Sequence, residues 1–288
     1  MAFSPRRTRL QRKQLDLASN PPPFTLPPTT SDPPKTTTIT AIPSPPPQSL
    51  TKLPRKAHAL LLQKQSLLRR SPLPSLPLTP DPTTATLVFA QEEAGTAVCI
   101  RPDGLLLTCA HCVAETAAEL DPAKTHWLLF ASGAVVAAVC VAWDGRRDLA
   151  LLRVTAAQGA GGGPFPAVRV AERAPGVGTG LVCVGHPGSE DLEVEENGVE
   201  TGYPVLYLSM GNYRGCEKGQ DVQDNSEIGA LRHDCWTYWG HSGAPLLQRK
   251  TGRLVGLHSS WDDSTGVRRG VPLEAIKEFL DQDLGSGE

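Results

Sequence analysis

Short apolar runs separated by turn residues dominate the chain from Thr83 onward. Runs such as "GTAVCIRPDG", "LLLTCA", "AVVAAVCVAW" and "DLALLRV" have the length and composition of strands, and Gly, Pro, Asp and Asn punctuate them. Six further runs are of the same kind: "ATLVFAQ", "HWLLFASG", "LVCVGHPG", "YPVLYLSMG", "APLLQRKTG" and "RLVGLHSS". Residues 102–104 and 250–252 have the composition of hairpin turns. The pattern therefore predicts a domain built mainly of short antiparallel strands.

One helix is predicted at the end of the chain. After Pro272, the apolar residues Leu273, Ile276, Phe279 and Leu280 recur on one face of a helix. Many short strands followed by one terminal helix favour an all-β barrel or sandwich. The 208 residues that follow residue 80 suit two small barrels packed together.

Residues 1–80 differ physically from the rest of the chain. They carry 12 Lys and Arg against two acids, a net charge of +10, so residues 81–288 carry −12. They also hold 17 of the 27 prolines, and we expect a disordered, basic, proline-rich segment ahead of one domain over residues 81–288. The exception is "RKAHALLLQKQSLLRR", residues 55–70, which predicts a short amphipathic helix. A solvated, transient helix is favoured over a membrane or partner helix.

The cysteines and the N-terminal sequence bear on compartment and cofactors. Seven cysteines without an apolar secretory signal predict reduced thiols and an intracellular protein, in cytoplasm or nucleus, with an arginine-rich mitochondrial presequence as the alternative. No run is long and apolar enough to span a membrane. Cys109 and Cys112 have C-x-x-C spacing, but no second pair exists, so we expect neither a metal nor a cofactor.

Three residues form a candidate catalytic set. His111 ends the apolar run "LLLTCAH", Asp148 precedes the run "LALLRV", and Ser242 lies in the glycine turn "GHSG". Alone, each has a structural interpretation: a histidine at a strand end, an acid in a turn, and a serine between glycines. Together, in this order, they match a nucleophile, its general base and the acid that orients the base.

The three motifs resemble those of the chymotrypsin/trypsin-like serine peptidases. "TCAHC" is similar to that family's T-A-A-H-C, "DLALL" to its D-I-A-L-L, and "GHSGAPLL" to its G-D-S-G-G-P-L. The resemblance spans about residues 90–283 and implies two six-stranded antiparallel β-barrels with a C-terminal helix. It implies peptide hydrolysis by His111, Asp148 and Ser242, with the amides of Gly240 and Ser242 as the oxyanion hole.

The last third resembles the glutamyl endopeptidase (V8-like) branch of that family. Thr237 and the His258 of "GLH" match the residues that line that branch's glutamate pocket, so cleavage after Glu, or after Gln, is expected. The strand at His258, Ser259 and Ser260 would pair with an extended substrate. The acidic segment "SEDLEVEENGVE", residues 189–200, would repel acidic substrates if it lay near the cleft.

Two other functions stay open at this stage. One is a peptidase fold that binds without turnover. The other is a nucleic-acid-associated protein tethered by its basic segment, although the domain itself is acidic and has no nucleic-acid motif. We expect a monomer that acts on proteins or peptides and has no membrane partner.

Overall fold

The structure is a computed structural model that describes residues 24–25, 39–71, 73, 75–91, 95–159, 164–191, 194 and 198–284. Its helices are α1 (Gln48–Thr51), α2 (Arg55–Arg70) and α3 (Leu273–Leu284). Two 3₁₀ helices span Pro82–Ala85 and Ala110–Cys112. The strands are β1 (Phe24–Thr25), β2 (Thr40–Ile42), β3 (Thr86–Phe89), β4 (Thr96–Arg101), β5 (Leu105–Thr108), β6 (Thr125–Phe130), β7 (Val135–Asp144), β8 (Leu149–Gln158), β9 (Gly180–Gly185), β10 (Tyr207–Cys216), β11 (Leu231–His233), β12 (Pro245–Gln248), β13 (Leu254–Trp261) and β14 (Arg268–Pro272).

These strands close into two six-stranded antiparallel barrels. The first follows the order β7-β6-β3-β4-β5-β8, and pairing between β7 and β8 closes it. The second follows the order β10-β11-β14-β13-β12-β9 and is also closed. Both predicted hairpin turns are confirmed, because the Gly104 amide donates to Arg101 and the Gly252 amide donates to Gln248. This is the chymotrypsin-like architecture that the motifs implied.

The C-terminal helix is confirmed and joins the cores of the two barrels. Ile276 and Phe279 of α3 are buried in an apolar cluster that contains residues of both barrels. Leu273 lies instead in a cluster with strands of the second barrel. The helix therefore fixes the two barrels against each other, and the cleft that carries the site lies between them.

The polar segment from residue 209 to residue 233 is partly sheet. Strand β10 continues to Cys216, and β11 begins at Leu231. Many side chains of β10 are only partly buried, so the part of the strand beyond Gly211 carries no apolar signal. Strand β14 was also missed, since it starts with Arg268 and Arg269. Arg269 is nonetheless buried, because Glu217 binds its guanidinium at 2.6 Å.

Residues 55–70 form the predicted helix α2, but the expectation of a solvated helix is wrong. Leu61 and Leu68 are buried against the first barrel. Lys64 is 2% exposed and donates to the Phe89 carbonyl at 2.7 Å, and Gln65 donates to the Gly133 carbonyl at 2.8 Å. Ahead of α2, β2 adds to β8 as a parallel strand.

Part of the segment that composition assigned to disorder is therefore packed on the barrel. The other predictions for residues 1–38 lie outside the described residues, apart from the short strand β1. The domain boundary at residue 80 stays a prediction. Within the described ranges, no helix combines the length and the apolar character needed to cross a bilayer.

Candidate active site

His111 lies in the 3₁₀ helix that follows β5, where it faces Asp148 at the start of β8. The Nδ1 atom of His111 is 2.8 Å from Oδ1 of Asp148 and 3.1 Å from Oδ2, and the His111 amide donates to Oδ1 at 3.3 Å. Asp148 is fully buried, whereas the His111 side chain is 15% exposed. A buried carboxylate held in this way fixes the ring, with its proton on Nδ1 and with Nε2 as the basic nitrogen.

Ser259 supplies a further hydrogen bond that the sequence did not reveal. Its hydroxyl donates to Oδ2 of Asp148 at 2.6 Å. The sequence predicts Ser259 only as part of the strand that binds substrate, and nothing in "HSSW" distinguishes its role from that of Ser260. The Ser260 hydroxyl lies 3.5 Å from the Gly229 amide.

Ser242 lies in the turn between Gly240 and β12, on the second barrel. Its hydroxyl donates to the Ser259 carbonyl at 3.1 Å. Its own carbonyl accepts from the Thr96 amide at 2.9 Å, a bond that ties the turn to the first barrel. The structure therefore brings His111, Asp148 and Ser242 to one cleft, with the Ser242 hydroxyl turned toward β13.

Two glycines give the Ser242 turn its shape. Gly243 has φ +80°, and a Cβ there would lie 2.0 Å from the Thr96 carbonyl oxygen. Gly240 has φ 96°, which an L side chain disfavours. Within the described part of the chain, neither the Gly240 nor the Ser242 amide donates a hydrogen bond to another residue. Both amides can therefore serve an external oxyanion.

His241 holds the loop that precedes Ser242. It is fully buried, and its Nδ1 lies 3.1 Å from both the amide nitrogen and the carbonyl oxygen of Tyr238. Its ring packs edge-on against Trp236. The ring also lies so close to Gly185 that a Cβ at that position would be 2.5 Å from its Cδ2 atom. The loop is thus fastened by its own side chain.

The expected substrate-pocket residues Thr237 and His258 are both buried. Each is 1% exposed. The Thr237 hydroxyl has no hydrogen-bond partner among the described residues. Nδ1 of His258 is 3.1 Å from Nε2 of His233, itself buried. A substrate side chain would have to displace neighbouring atoms to reach either group.

Burial keeps the three histidines of this region neutral. Desolvation lowers the pKa of His233 and of His241 to about 3, and lowers the pKa of His258 well below its usual range. The charge of Arg268 lowers all three pKa values further. Near neutral pH these imidazoles therefore offer hydrogen bonds but no positive charge.

The acidic segment anticipated near the cleft does contact the loop before Ser242. Asp191 accepts a hydrogen bond from the Tyr238 hydroxyl at 2.6 Å. In the same loop, Trp239 packs edge-on against Trp261 with ring centroids 4.5 Å apart. The two residues that follow Thr237 are therefore both held by side chains from other segments.

All seven cysteines are free thiols. Cys109 lies next to His111 and Asp148, and one ligand atom from each lies within 4.8 Å of the others. The Asp148 carboxylate already accepts from His111 and Ser259, so the same atoms are committed to the hydrogen bonds described above.

The chain matches a family of known proteins. Two closed barrels with a His, an Asp and a Ser between them define a chymotrypsin-like peptidase fold. Residues 95–257, more than half of the chain, match the family model described as a trypsin-like peptidase domain, and the chain belongs to that family. Among curated proteins, none matches the chain.

Solved structures with the same fold include proteases of two bacteria. One is the inactive form of a serine-to-alanine mutant from M. tuberculosis H37Rv, at 17% identity and TM-score 0.53, covering 76% of this chain and 97% of that one. Another is a serine endoprotease from Yersinia pestis, at 17% identity and TM-score 0.51, covering 78% of this chain and 68% of that one. At this identity the likeness concerns the fold.

Proposed function

We propose that the protein is a serine endopeptidase in which Ser242 is the nucleophile, His111 the general base and Asp148 the residue that orients His111. The observation that carries this proposal is the short hydrogen bond between His111 and a fully buried Asp148, in the same cleft as Ser242. The three residues come from different loops, and the chain belongs to a family of trypsin-like peptidases.

The reaction starts with a rotation of the Ser242 hydroxyl from the Ser259 carbonyl toward Nε2 of His111. His111 takes the proton while the Ser242 oxygen bonds to the substrate carbonyl carbon. The amides of Gly240 and Ser242 would bind the resulting oxyanion. His111 then gives the proton to the leaving amine, and water hydrolyses the acyl-enzyme by the same steps.

Substrate would bind as an added strand along β13. Ser260 and Trp261 pair with β14 on one side, while β12 pairs no further than Leu257 on the other. The Ser259 carbonyl, which now accepts from Ser242, would then accept from the substrate backbone. We propose Glu or Gln as the residue before the cut, from the nearby Thr237 and His258.

Labelling with a fluorophosphonate tests this function without a known substrate. The activated Ser242 oxygen would bond to phosphorus as fluoride leaves, and Ser242→Ala should abolish the labelling. Ser264→Ala, at an exposed turn serine, is the matched control and should label like the wild type. If folded wild-type protein does not label, the second function applies, a peptidase fold that binds without turnover. The Ser242 hydroxyl's bond to the Ser259 carbonyl, away from His111, is what favours that alternative.

A further inference from the structure

Arg268 lies between the loop that precedes Ser242 and the strand expected to bind substrate. It is the first residue of β14 and pairs with Trp261, the last residue of β13. Its Nη2 donates to the Thr237 carbonyl at 3.2 Å, and its Nη1 donates to the Gly266 carbonyl at 3.0 Å. The guanidinium therefore joins the loop before Ser242 to the strand expected to bind substrate.

The guanidinium is also placed against an aromatic wall. The Cζ atom of Arg268 is 5.7 Å from the centroid of the Trp261 ring, which packs in turn on Trp239. A planar cation held over an indole keeps its orientation with little loss of side-chain entropy on binding. Trp239 directly precedes Gly240, so this assembly borders the site of the reaction.

Arg268 is more accessible than the two pocket residues that the sequence suggested. Thr237 and His258 are 1% exposed, whereas Arg268 is partly exposed. Arg268 is therefore the most accessible of these polar groups. Moreover, His258 is neutral and already hydrogen-bonded to His233, so it does not discriminate a carboxylate from a carboxamide by charge.

We propose that Arg268 is the specificity-determining residue of this site and binds the side-chain carboxylate of a P1 Glu or Asp. The proposal rests on the proposed peptidase function, and it narrows the choice between Glu and Gln to the acid. A guanidinium matches a carboxylate in two parallel hydrogen bonds, and the charge is permanent.

A negative charge contacts the loop that Arg268 binds. Asp191 accepts a hydrogen bond from Tyr238 of that loop, and Arg268 has a further interaction besides its bonds to the two carbonyls. An incoming carboxylate would compete with these contacts. We therefore expect Asp191→Asn, which removes a negative charge from the loop, to raise the affinity for a P1 acid without changing the affinity for P1 Gln.

Peptide binding to the full-length Ser242→Ala protein tests the proposal without turnover. The probes are two fluorescent peptides that are identical except for the C-terminal P1 residue, which is Glu in one and Gln in the other. In the Ser242→Ala background we compare Arg268→Gln, which keeps an N–H donor but no charge, with Arg268→Lys, which keeps the charge. Arg249→Gln removes a positive charge from the exposed β12–β13 hairpin and serves as the matched control.

The expected result is a preference for the Glu peptide that Arg268→Gln reduces by about tenfold or more, with Gln-peptide affinity unchanged. Arg268→Lys should retain part of the preference, and Arg249→Gln all of it. Equal loss of both peptides would indicate a structural role and overturn the proposal, as would an unchanged preference in Arg268→Gln or binding of neither peptide. Because catalysis is absent, failure here is separate from failure of fluorophosphonate labelling.

Discussion

Asp148 combines two demands on one residue, a left-handed backbone and a buried charge. Its φ of 56° lies in the region that Asp and Asn adopt more readily than other non-glycine residues. Its carboxylate accepts from the His111 amide, the His111 ring and the Ser259 hydroxyl. The sequence motif identified the residue, but neither the backbone strain nor the Ser259 bond can be read from "DLALL".

Asn is therefore the variant that isolates the charge at position 148. Asp148→Asn should keep the backbone conformation and lower kcat by about 10³–10⁴-fold, because an amide no longer fixes the His111 tautomer. The measurement is kcat on a cleaved peptide, with the thermal midpoint as a control for folding. A folded Asp148→Asn protein that retained a tenth of the wild-type rate would exclude Asp148 as the orienting residue.

Ser259 offers a milder test at the same carboxylate. Ser259→Ala removes one of its hydrogen bonds and should lower stability by about 1–2 kcal/mol, because the buried Asp148 loses a donor. Ser260→Ala is the matched control, since the Ser260 hydroxyl has only a 3.5 Å contact with Gly229, and its change should be smaller. Urea unfolding measures the change in the free energy of unfolding for each variant. Equal effects would mean that the Ser259 hydroxyl does not support Asp148.

Among the elements, those with apolar periodicity were predictable and those held by polar contacts were not. Strands β4 and β5 and the first half of β8 are almost fully buried, and their sequences show it. Strand β14 begins with Arg268 and Arg269, which bind Thr237 and Glu217, two partners distant in sequence. Likewise, composition alone indicates disorder ahead of residue 80, because it does not show that a barrel surface is available to bury Leu61.

The packing of α2 on the first barrel makes a prediction that the solvated helix would not. Leu61→Ala should cost about 2–5 kcal/mol of stability, because a fully buried side chain leaves a cavity. Leu67→Ala, on the same helix at 42% exposure, should change stability by less than about 0.5 kcal/mol. Chemical denaturation measures both. If the two variants are equally stable, α2 is not docked in solution.

On the scale of the whole molecule, the sequence predicted the chymotrypsin-like fold and its cleft. The three motifs lie on separate strands, and they can meet only if those strands adopt one particular arrangement. It did not predict which polar residues would be buried. His126, His233, His241 and His258 lie inside the two barrels, and their burial depends on contacts made by the complete fold. The same burial ties the stability of the molecule to pH.

His126 isolates this dependence because it lies in the first barrel, away from the candidate site. It is 1% exposed, and neither ring nitrogen has a hydrogen-bond partner among the described residues. Desolvation lowers its pKa to about 4. Below an unfolded-state pKa of about 6.5, the unfolded chain binds a proton that the folded protein refuses. Stability from this residue is therefore present above about pH 6.5 and is lost as the pH falls toward 4.

His126→Leu should remove that loss. Wild type and variant should differ little in pH response above pH 7, and by pH 4.5 the variant should have gained about 2 kcal/mol relative to wild type. Val135→Ala, which is buried but does not titrate, should lower the stability curve by the same amount at every pH. Urea unfolding from pH 7.5 to 4.5 provides the curves. Parallel curves of stability against pH for His126→Leu and wild type would contradict this prediction. They would show that His126 is protonated in the folded barrel or reached by water, because only a buried neutral ring gives the folded and unfolded states different pKa values.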